Sequence, residues 1–140
     1  MKSSKIRGMR LALAILFALG TFIGFSQTTI TWKGGTPGME NDWSCPQNWS
    51  SASLPNEFSD VIIPDVSSST FAPPCIKEGS IEINSLRLQS NASLTIAYNA
   101  SLTVIRFIEG LDLYKVEGQG ELILQAGESL VVARMMTLRL

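Results

Sequence analysis

The chain has 140 residues, enough for one domain, with eleven Lys and Arg against twelve Asp and Glu and no histidine. Four of the eleven cations (Lys2, Lys5, Arg7 and Arg10) precede residue 27, so the remainder carries a net −5, which argues against a nucleic-acid partner. Without histidine the chain cannot hold a Ser/His/Asp or Cys/His catalytic arrangement or a His-containing zinc site, and most enzyme classes lose their main candidate residue.

The basic opening MKSSKIRGMR is followed by fifteen uncharged residues, LALAILFALGTFIGF, the n-region and h-region pattern of a secretory signal peptide. Gly24 and Ser26 supply small groups before a cleavage that leaves Gln27 as the new N-terminus. As a helix the apolar run spans roughly 22 Å, short of the ~30 Å hydrocarbon core, so a stable membrane span is not expected. The exported part holds Cys45 and Cys75, which an oxidising compartment would let pair, the alternative being two separate buried thiols. Closing that loop would contribute roughly 3 to 4 kcal/mol if unstrained.

Residues 27–79 are rich in Trp, Pro, Gly, Ser and Asn, with six prolines from Pro37 to Pro74, and read as loops around short strands near Thr28–Trp32 and Val61–Ile63. From residue 80 to residue 140 the pattern changes. Ser85-Leu86-Arg87-Leu88, Ser93-Leu94-Thr95-Ile96 and Ser101-Leu102-Thr103-Val104 begin eight residues apart, with Asn91 and Asn99 at matching turn positions. The spacing resumes at Glu121-Leu122-Ile123-Leu124, Ser129-Leu130-Val131-Val132 and Thr137-Leu138-Arg139-Leu140, after an interval in which Asp112 and Tyr114 suggest one more strand. Period-two geometry then sends Leu86, Leu88, Leu94, Ile96, Leu102, Val104, Leu122, Leu124, Leu130 and Val132 to one face, which must be buried. A four-residue strand cannot bury that face alone, so equivalent strands are expected to stack. The expected fold is all-β: a right-handed parallel β-solenoid or β-helix fragment behind a Trp- and Pro-rich N-terminal cap, with an antiparallel β-meander as the alternative.

The order Thr31-Trp32-Lys33-Gly34-Gly35, Asp42-Trp43, Gln47-Asn48-Trp49, Leu54-Pro55 and Ser59-Asp60-Val61-Ile62-Ile63-Pro64, followed by the Ser-Leu repeats, resembles the N-terminal regions of secreted bacterial adhesin-type parallel β-helix surface proteins. Such proteins are often exported by type IX secretion. The resemblance covers Thr31 to about Val104 and implies an exported structural or adhesive module at the cell surface. It also implies a bacterial host; the chain departs from the family pattern by reaching Leu140 in mid-repeat, as expected of a fragment of a longer product or of an early-terminated copy.

Candidate sites are few. Trp32, Trp43 and Trp49 could stack on a polysaccharide or plug one end of the core. Asp42, Asp60 and Asp65 with Asn41 and Asn56 could offer oxygen ligands to calcium, but their spacing matches no EF-hand or nonapeptide repeat, so no metal or other cofactor is expected. Glu78, Glu82, Glu109, Asp112, Glu117, Glu121 and Glu128 single out no pair for glycoside hydrolysis. Asn48, Asn91 and Asn99 begin N-glycosylation patterns that read more simply as turn residues. Gly34-Gly35 and Gly118-Gln119-Gly120 lack the context of a phosphate loop and read as turns. A non-catalytic surface module is therefore expected, with a surface polysaccharide or another cell-surface protein as partner. The alternatives are the N-terminal part of a polysaccharide-degrading enzyme and a carbohydrate-binding module using the tryptophans.

Overall fold

A computed structural model describes residues 26–111, 115–126 and 129–134, with side chains up to residue 125. All but the last residue of the expected signal segment and the whole of the last repeat, 137–140, lie outside the described residues, as do Asp112 and Tyr114. Among the described residues no helix is long and apolar enough to cross a membrane.

Among the described residues nine strands and one 3-10 turn, Pro46–Asn48, make up the regular structure: β1 Thr28–Thr31, β2 Ser59–Ile63, β3 Cys75–Ile76, β4 Gly79–Leu88, β5 Leu94–Ile96, β6 Ala100–Glu109, β7 Val116–Gly118, β8 Glu121–Ala126 and β9 Ser129–Arg134. They form two sheets, one of six strands in the order β1-β2-β4-β6-β8-β9 and one of three in the order β3-β5-β7. All pairings are parallel except β8 with β9, which run antiparallel.

Two expectations are corrected here. The structure holds two small, chiefly parallel sheets, which overturns the expected solenoid, and the antiparallel β8–β9 pair departs from that plan altogether. Ser101–Val104 and Glu121–Leu124 do pair in register, but the first three eight-residue units do not stack on one another. Ser85–Leu88 lies in β4, the next unit in β5 of the other sheet, and the third in β6. Leu86 pairs with Val61 and Ile108, Leu94 with Val116, and Leu102 with Ile81 and Leu122. Parallel partners after β1 thus lie twenty to twenty-five residues apart. The meander is corrected by the same registers, because its neighbours would pair antiparallel.

One apolar core serves both sheets. Leu86, Leu88, Leu94, Ile96, Leu102, Val104 and Leu122 are buried with Ile30, Val61, Ile63, Ile76 and Ile83, and Leu124 packs against them partly exposed. Leu130 and Val132 belong to β9, and their side chains lie outside the described ones. Because β1, β2 and β3 come from the Pro-rich half, that half supplies strands to both sheets. A register shift in the β4–β6 pair, between Ile83 and Ser85, breaks the alternation and puts Asn84, Ser85 and Leu86 all in buried positions. There Asp60 Oδ1 accepts hydrogen bonds from Asn84 Nδ2 at 2.7 Å and from Ser85 Oγ at 2.6 Å, which satisfies the polar groups that the irregularity buries.

Candidate functional site

The tryptophans sit where β1 leaves the sheet. Trp32 and Trp49 form an antiparallel bridge, and Trp49 packs edge-on against both other indoles, with ring centres 4.9 Å from Trp32 and 4.6 Å from Trp43. Their exposures are 1%, 2% and 0% for Trp32, Trp43 and Trp49, so none offers a ring face to a sugar. Trp49 Nε1 donates to the Trp43 carbonyl at 2.8 Å and Trp32 Nε1 to the Ala72 carbonyl at 2.9 Å, so two of the indole donors are answered inside the protein.

Asn48 organises the loop above these rings. Its Nδ2 donates to the carbonyls of Met39 (2.6 Å) and Asp42 (3.0 Å), while its Oδ1 accepts from the Thr36 amide at 3.0 Å. The side chain is wholly buried, which removes the first of the glycosylation patterns as an acceptor; Asn91 and Asn99 are exposed in turns.

The five oxygen-bearing residues considered for calcium do not converge. Asp42 pairs with Lys77, Asp60 is taken by Asn84 and Ser85, and Asp65 Oδ1 accepts from the Ser67 amide while Asn91 donates to its Oδ2. Asn56 is engaged with Ser59 and the Phe58 amide. Among the described residues no three acidic or thiol side chains come together as a metal site.

Cys45 and Cys75 are free thiols, which corrects the proposed bridge. Cys45 is buried and its Sγ donates to Gln47 Oε1 at 3.4 Å. Cys75 is held by backbone bonds instead, its amide donating to the Asn41 carbonyl and its carbonyl accepting from the Trp43 amide. Burial pushes the Cys75 thiol up from its ordinary range, so it is a poor thiolate at neutral pH. The denaturation midpoint should therefore be the same in oxidising and reducing buffer. A midpoint that falls when reductant is added would show that the bond forms after all.

Lys77 Nζ lies 3.0 Å from Asp42 Oδ2. The hydrogen bond from Lys77, aided by one from the Ser44 amide, holds the Asp42 carboxyl below its ordinary value. A carboxyl lowered in the folded state adds stability that is fully present above the unfolded value and is lost as pH falls through the folded one. Asp42→Asn should accordingly flatten the acid limb of the stability curve, read from urea midpoints between about pH 5 and about pH 2. Unchanged acid slopes in the variant would remove Asp42 from the linkage.

Sequence reasoning marked Asn99 in the turn joining β5 to β6 but passed over its neighbour Tyr98. Tyr98 is 69% exposed there, beside an open groove lined by Tyr98, Asn99, Ala100, Ser101, Gln119 and Glu121. An aromatic residue next to Asn99 in a polar turn, outside any alternating strand, was the available signal.

No curated protein and no solved structure matches the chain. Comparison with protein families matches residues 31–137, well over half of the chain, and the chain belongs to the DUF8693 family, a domain of unknown function.

Proposed function

We propose that the chain is an exported, non-catalytic module with a structural or adhesive role at the cell surface, of the kind its N-terminal likeness to type IX secretion cargo suggests. The observation that carries the reading is the single core joining both sheets, from the tryptophans through Ile63 and Leu94 to Leu122. Parallel strands in register make a stiff support, and their outer positions (Ser80 beside Ser101, Glu82 beside Thr103) are polar and available for contact. The basic and apolar stretches before Ser26 supply the route out of the cell.

The test is antibody labelling of intact host cells together with N-terminal sequencing of the labelled product. Surface labelling with Gln27 as the first residue is expected. A cytoplasmic product that keeps Met1 would overturn the reading.

A further inference from the structure

The turn that carries Tyr98 is fixed from three sides. The Ala100 amide donates to the Ala97 carbonyl at 2.9 Å, the Gly79 amide to the Asn99 carbonyl at 3.2 Å, and the Gly120 amide to the Ile96 carbonyl at 2.9 Å. The bonds from Gly79 and Gly120 come from the start of β4 and from the bend before β8, so the Tyr98 backbone is held before any ligand arrives, and less entropy remains to be lost on binding. Tyr98 is the most exposed of the large hydrophobic side chains described. A large ring held out to water at a fixed position loses the free energy that burial would return, and contact with a flat apolar face recovers it.

The groove beside the ring holds about 360 Å³. Asn99 and Gln119 bring amides that donate and accept together, Ser101 a hydroxyl that donates to Ser80 Oγ at 3.0 Å, and Glu121 a carboxylate that only accepts. Among the described residues no Lys or Arg lines it, and Glu121 sets a negative field, so phosphates and uronates are disfavoured. An apolar ring face flanked by donor-acceptor pairs suits a neutral sugar, whose C–H face stacks and whose neighbouring hydroxyls both give and take hydrogen bonds. Ser101 and Glu121 are register partners on adjacent strands, about 4.8 Å apart. One sugar of an extended β-linked glycan advances by a similar distance, so successive sugars can meet successive strands.

We infer that Tyr98, Asn99, Ser101, Gln119 and Glu121 form a binding site for an extended neutral polysaccharide, with the Tyr98 ring stacked on one sugar and the polar groups holding its hydroxyls and those of the next. The biological setting rests on the adhesive reading, but the chemistry of the groove does not.

The purified chain is run in native gels containing laminarin, xyloglucan, galactomannan or, as an anionic comparison, polygalacturonate. Retardation by at least one of the three neutral polysaccharides is expected. Tyr98→Ala should raise Kd for that polysaccharide about tenfold or more with an unchanged melting profile, whereas Tyr98→Trp and the distant Phe71→Ala should keep it. The site is refuted if none of the three neutral polysaccharides retards the chain, if only polygalacturonate does, or if Tyr98→Ala binds as tightly as the parent. Labelling of intact cells without glycan retention would remove this groove and leave the surface role standing. Glycan retention by a chain confined to the cytoplasm would do the reverse.

Discussion

Trp49→Ala should lower the unfolding free energy by about 3 to 5 kcal/mol, read from urea denaturation followed by far-UV circular dichroism. Trp49 is wholly buried and is the middle ring of the three, touching Trp32 on one side and Trp43 on the other. Its removal leaves a cavity that two rigid indoles cannot refill, and it strips the Trp43 carbonyl of the donor 2.8 Å away. Trp49→Phe keeps an aromatic edge but not that donor, so it should cost less, about 1 to 3 kcal/mol, chiefly for the unanswered carbonyl. A loss below about 1 kcal/mol for the alanine variant would mean that the rings do not form part of the core.

A second large effect is expected at Gly118, where β7 ends. Its φ is +108°, and a Cβ built there would stand 2.1 Å from the Ile96 carbonyl oxygen, a backbone atom of the neighbouring strand that cannot swing aside. Gly118→Ala therefore carries a dihedral penalty of about 1 to 2 kcal/mol and an overlap that must be relieved by separating β5 from β7, about 1 to 3 kcal/mol more. Gly79 is the natural comparison: its φ is +83°, but nothing lies within 4 Å of the added carbon. Gly79→Ala should show the dihedral part alone. Equal losses at the two positions would mean that the close approach of the strands at Gly118 contributes nothing.

The inward positions were legible because alternation is local. Each strand carries its own record of which side chains point to the same face, and Leu86, Leu94 and Leu102 are all buried. Which strand lies beside which is not local. The eight-residue spacing reflects similar lengths of strand and turn, and it appears equally whether consecutive units stack or alternate between sheets. The first three units alternate between sheets, so Leu86 meets Ile108 and not Leu94, while the units in β8 and β9 lie side by side in one sheet. Nor did local pattern reveal the reversal at β8–β9, where residues 127 and 128 separate two strands of the same outward character as the rest. For the candidate site, residue type drew attention to the tryptophans, but indoles both plug cores and grip sugars. Only their packing distinguishes the two. Tyr98 went unnoticed because a single aromatic in a turn has no periodicity to mark it.

Thr31, at the last position of β1, donates its amide to Ser50 Oγ and accepts the Ser50 amide at its carbonyl, both at 2.9 Å. These contacts, with the indoles behind them, bring Ser50 against an outermost strand, the kind of border through which parallel sheets recruit foreign chains. All the residues involved lie before position 76, so a polypeptide delivered amino end first has the means to block this border before β4 to β9 have emerged. Assembly in that sequence would bias growth toward the newer strands, and half-made molecules would have one fewer place at which to polymerise.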